Sequence, residues 1–120
     1  MYKVLVFVLV AGLLFFSAAE AEEVAGISNR VKWVTASEVN NFGFDVLRGD
    51  SEDGPFVKIN EITVPGAGNS DIPNQYEFVD EAIEAGKVYW YYVESISMSG
   101  EREKFTPTFQ SKPRFPAVDP

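Results

Sequence analysis

The chain holds neither histidine nor cysteine. That removes Ser–His and Cys–His nucleophile pairs, imidazole and thiolate zinc sites, and every disulfide. Oxygen chemistry is what remains. Asp45 and Glu94, if carried by neighbouring strands, could approach as a general acid and base, but nothing around them reads as a cleft, and solvated surface accounts for them better. Asp50, Glu52 and Asp53 crowd one turn, and hard cations prefer such oxygen clusters. Their spacing lacks the alternating ligands that open a calcium loop, so no metal is expected there. No motif implies a cofactor.

Aromatic side chains are the other candidates. Leu47, Val88, Trp90 and Tyr92 are expected to share the outward face of two strands, where charged residues would be usual. Exposed rings stack on sugars or fill partner pockets, because they bury large area with little loss of rotamer freedom. The competing account packs Trp90 and Tyr92 under a neighbouring hairpin or the proline-rich end of the chain.

The segments that would position these residues read as strands. Short runs of β-branched and aromatic residues alternate with turn clusters, and no apolar period of 3.6 persists over three turns. Val31 and Trp33 point to one face of a first strand, residues 31–34. Residues 37–41 read as a loop. A strand over 42–48 puts Phe42, Phe44 and Val46 on the core face and Gly43, Asp45 and Leu47 on the other. Residues 51–55 form a tight turn, and 56–60 return as the partner strand of a hairpin. Pro65-Gly66-Ala67-Gly68-Asn69-Ser70 reads as a flexible loop. Residues 76–80 alternate again. The strongest strand is 87–97, with Tyr89, Tyr91 and Val93 on one face. After a turn at 98–101, a last strand over 105–110 is interrupted by Pro107, which belongs at an edge or a bulge. Residues 113–120 read as an extended proline-rich tail.

The first 21 residues read as a signal peptide. Lys3 precedes an apolar run from Val4 to Phe16, and Ser17-Ala18-Ala19-Glu20-Ala21 supplies the small residues of a cleavage site, placed after Ala21. The run is shorter than the roughly 20 residues that span a bilayer. The expectation is therefore a secreted or periplasmic protein with no membrane contact after cleavage. Removal of Lys3 and Glu20 takes the acids from 18 to 17 and the bases from 10 to 9, so the net charge stays at −8. Such a surface repels phosphate backbones and anionic lipid, which argues against nucleic-acid and membrane-surface partners.

The stretch Ile83-Glu84-Ala85-Gly86-Lys87-Val88-Tyr89-Trp90-Tyr91-Tyr92-Val93 resembles the fibronectin type III signature through Ile83, Gly86, Tyr89, Tyr91 and Val93. Ala85 and Lys87 depart from its usual Pro and Thr. The resemblance implies an immunoglobulin-like antiparallel β-sandwich over residues 22–112. It also implies a tyrosine corner, in which the Tyr89 hydroxyl bonds backbone near Ile83, and a buried tryptophan at Trp33. The run from Trp33 to Phe44, with Asp53-Gly54-Pro55-Phe56, is similar to versions of the domain found in secreted bacterial proteins. Trp33, Phe44, Val46, Tyr89, Tyr91 and Val93 form the expected core. Between the expected cleavage point and Trp33 too few residues remain for a full first strand and its turn, and only Val24 to Ser28 could serve. Either the domain tolerates a shortened one, or another chain or an upstream segment supplies it.

Arg48-Gly49-Asp50 spells an integrin-recognition tripeptide. In domains of the resembled kind, however, the recognition loop lies between the last two strands, here residues 98–101. The function expected is non-catalytic protein–protein contact in the cell envelope or outside the cell, through Leu47, Val88, Trp90 and Tyr92. The alternative is carbohydrate binding by the same face.

Overall fold

A computed structural model of the chain describes residues 26–118. The signal segment and its cleavage point after Ala21 lie outside the described residues. Among these residues the regular structure is all strand: β1 Asn29–Thr35, β2 Glu38–Gly49, β3 Phe56–Lys58, β4 Val64–Ser70, β5 Asn74–Asp80, β6 Trp90–Ser97, β7 Arg102–Lys104 and β8 Phe109–Gln110. No helix among them is long and apolar enough to cross a membrane. The compact unit is Ser28–Arg114. The described residues outside it, 26–27 and 115–118, carry neither helix nor strand.

Two antiparallel sheets make a sandwich. The smaller is β1 paired with β5, and the larger runs β3-β2-β6-β7, with β4 also on β2 and β8 also on β6. Alternation decides the faces. Along β1 every second residue is buried, so Val31 and Trp33 meet Phe44 and Val46 of β2, Tyr91 and Val93 of β6, and Tyr89 just before it. Withdrawing such side chains from water contributes about 1.5–3 kcal/mol each. Packing and not a hydrogen bond holds Trp33. It meets Phe44 edge-on at 5.4 Å and stacks on Tyr76 at 5.7 Å, while its buried Nε1 has no hydrogen-bond partner.

Several expectations are corrected. Phe42 is not core; it is 54 % exposed. Between Asn41 and Gly43, β2 advances two residues while β6 advances one, from Ser97 to Ile96. Phe42 is the surplus residue of this bulge, which turns its ring out and resets the parity for Phe44. Residues 37–41 are not a loop, since β2 begins at Glu38. The glycine-rich run 65–70 is a strand as well, paired along the first half of β2. Gly66 makes that possible, because a Cβ there would stand 2.6 Å from Asn41 Nδ2.

The hairpin strand β3 stops at Lys58. Beyond it, the Asn60 side chain takes over as acceptor for the Val46 N–H at 2.7 Å. The strand expected from 87 begins at Trp90. Of the last strand expected over 105–110 only β8, Phe109–Gln110, forms; β7 precedes that range, and Pro107 lies between the two. After β8 the chain stays docked: Ser111 N–H donates to Tyr89 O at 2.7 Å, and Gly86 N–H to Arg114 O at 2.8 Å. Pro113 and Arg114, expected in the tail, thus belong to the compact unit.

Candidate functional site

Asp45 and Glu94 do meet, as register partners on β2 and β6. Arg102 Nη1 stands between them, 2.8 Å from Asp45 Oδ2 and 2.9 Å from Glu94 Oε1. Asp45 was expected to face outward in the open, yet it is fully buried. Asn60 and Thr63, in the connection from β3 to β4, both donate to its Oδ1 at 2.9 Å. Burial alone would raise its pKa, but Arg102, Asn60, Thr63 and Lys58 outweigh that and hold it below the usual range. A carboxylate kept ionised and fully bonded makes a poor proton donor. The group fastens the β3–β4 connection to the sheet.

The acidic turn and the tripeptide are used in a similar way. Arg48 Nη1 lies 3.1 Å and 3.0 Å from the two Asp80 oxygens and donates to Ala82 O at 2.9 Å. Its guanidinium also sits 5.0 Å over the Tyr89 ring. Asp50 pairs with Lys87 at 3.2 Å. The arginine is therefore occupied inside the fold and not presented on a loop. Among the described residues no three Asp, Glu, His or Cys side chains gather as a metal site.

Two further polar groups close the ends of the sandwich, and neither was anticipated. At one end Asp80, buried, accepts the Tyr91 hydroxyl at 2.6 Å. Tyr91 in turn accepts from Asn29 Nδ2 at 2.9 Å, and Asn29 Oδ1 from Arg114 Nε at 3.0 Å. Burial, then the bond to Asp80, pushes the Tyr91 phenol well above its ordinary range. Close by, Glu84 N–H donates to the Tyr89 hydroxyl at 2.9 Å. At the other end the buried Glu38 carboxylate accepts from Tyr76, Thr35, Asn41 and the Ala67 N–H. Burial opposes ionisation, but these bonds prevail and bring its pKa to about 2. Burial and Glu38 push Tyr76 up to about 12. Thr35 and Asn41 lie three residues from Glu38, but Ala67 and Tyr76 lie 29 and 38 residues away, so no local pattern could have announced those two bonds.

Leu47, Val88, Trp90 and Tyr92 are all half-buried. Leu47 pairs with Tyr92 and Gly49 with Trp90 in the β2–β6 register. Phe56 of β3 packs edge-on to Tyr92 at 5.1 Å, and Lys104 of β7 lies 4.9 Å over the same ring. The hairpin thus covers part of this face.

A different surface is more open. β1 pairs with β5 on one side, and on its other side no strand stands among the described residues. Beside it lies a groove of about 320 Å³ lined by residues of β1, β6, β8 and the segment after β8.

Comparison with known proteins gives one partial likeness to report. The chain is 31% identical over 68 residues to an amylopullulanase of Thermoanaerobacter thermohydrosulfuricus. That alignment takes in 57% of this chain and 4% of the amylopullulanase. No protein-family model matches the chain, and no solved structure gives a significant match.

Proposed function

We propose that the chain is an exported, non-catalytic module of fibronectin type III type, whose work is contact with a protein partner in the envelope or outside the cell. The Tyr89 hydroxyl, accepting from Glu84 N–H, and the core position of Trp33 support the family reading. The function rests on one observation, the side of β1 that no strand covers among the described residues, in a sheet of two strands. An open strand edge carries a row of backbone donors and acceptors ready to pair with another chain. The Trp90 and Tyr92 face, partly roofed by Phe56 and Lys104, is the lesser surface. Photo-cross-linking tests this. Benzoylphenylalanine in place of Lys32 on β1, in cells exporting the protein, should give a discrete protein adduct that the same group at Glu61 does not. No adduct at Lys32, or equal labelling at both sites, would sink the reading.

A second reading, carbohydrate binding through Trp90 and Tyr92, is favoured by the likeness to a protein named for its action on pullulan. Retardation of the protein in a pullulan gel, lost in Trp90→Ala, would support it. Unretarded migration of the parent would remove it.

A further inference from the structure

The groove beside β1 has a chemistry unlike the rest of the molecule. Its apolar lining is Val31 of β1, Tyr91 of β6 and Phe109 of β8. Arg30, Lys112 and Arg114 also line it, and no carboxylate does. That composition is unexpected in a chain with 18 acids against 10 bases. Elsewhere four basic side chains are paired within the fold, Arg48 with Asp80, Lys58 with Asp45, Lys87 with Asp50 and Arg102 with Asp45 and Glu94, while Lys104 donates to Thr108 and Lys32 has no carboxylate partner among the described residues. Among the described residues only Arg30 of the groove has a carboxylate partner, Glu77 at 3.3 Å, and that pair is largely in solvent. Arg114 is aimed by its bond to the buried Asn29, 3.0 Å from Nε to Oδ1. The groove is therefore lined by apolar and cationic side chains together, and one wall is a strand edge with no neighbouring strand on that side among the described residues.

We infer that this groove receives an extended acidic segment of a partner protein, which adds to β1 as a further strand. This rests on the reading of β1 as the contact edge and supplies the chemistry of its occupant. An added strand presents alternate side chains to opposite faces. One set, apolar, packs on Phe109, the apolar lining residue not already buried in the core. The other, carboxylates, meets Arg30, Lys112 and Arg114. Charge of that sign steers the encounter and rejects basic strands, while backbone pairing supplies the register.

Two blocked heptapeptides, one alternating Glu and Val and one alternating Lys and Val, match the seven residues of β1. Titrated into the full ¹⁵N-labelled chain, the acidic peptide should shift the amides of Asn29–Thr35 and bind at least about ten-fold tighter than the basic one. The preference should shrink with added salt. Lys112→Glu, exposed and outside every strand, should weaken the acidic peptide about ten-fold and leave the fold intact. Equal affinity for both peptides, with β1 amides shifting, would overturn the acidic preference and leave the edge reading standing. Silence of β1 with both peptides would overturn the two together. Acidic-peptide binding indifferent to Lys112→Glu would overturn the assignment to this groove. Shifts of β1 amides on simple dilution would replace the proposed partner with a second copy of the chain.

Discussion

Glu38 must be ionised to accept four donors at once, so its energetic contribution depends on pH. A carboxyl whose pKa falls on folding, here from 4.5 to about 2, adds stability above the unfolded value. It loses that stability as the pH drops through the folded value. Thermal melts should therefore show Tm falling between pH 4.5 and 2. Glu38→Gln should be destabilised by on the order of 3 kcal/mol at pH 7, with a flatter acid limb. Superimposable parent and variant curves would contradict this account of the network. At this scale the sequence was legible where one residue type carries a fixed demand. Tyr89 and Trp33 need burial, and their neighbours' alternation places them inside. Glu38 was illegible because Ser37, Asn40 and Asn41 read as local turn formers, whereas its decisive partners, Ala67 and Tyr76, lie 29 and 38 residues away.

Among the elements, β2 shows how one extra residue defeats an alternation rule. Phe44 and Val46 follow from parity, but Phe42 leaves the core because the bulge at Asn41–Gly43 breaks the count. β4 was illegible for another reason: Pro65, Gly66 and Gly68 are loop formers by propensity, and only the partner strand makes them a strand. Pro65 sits there without loss, because β4 has β2 on one side and nothing on the other among the described residues. The same closeness makes Gly43 hard to replace. A Cβ at that position would stand 2.5 Å from the Val64 carbonyl oxygen and 2.7 Å from Thr63 Cγ2. Backbone cannot yield as a side-chain tip does, so Gly43→Ala should cost about 1–3 kcal/mol by urea denaturation. Phe42→Ala, one residue away and in solvent, should stay within about 0.5 kcal/mol. Equal losses for the two would show that the bulge is wrongly placed.

For the whole molecule, a small domain without disulfides has to rely on its core, and here polar bonds fasten both ends of the sandwich across the two sheets. The all-β class and the inward residues were legible because hydrophobic alternation is a property of the chain itself. The open groove was not, because its cations come from β1 and from a segment more than 80 residues later, as in the Arg114–Asn29 bond. That bond has a topological consequence. The compact unit is Ser28–Arg114, so its first strand and its last residue touch, and a short bridge could join them at little entropic cost. A circular permutant with Arg114 linked to Ser28 by a few Gly and Ser residues, opened between the exposed Asp71 and Ile72, should unfold in one cooperative transition. Its stability should lie within about 2 kcal/mol of the parent's; an aggregated or non-cooperative permutant would count against it. A fold entered and left through a single doorway can be spliced into the surface loop of a host without prising that loop apart.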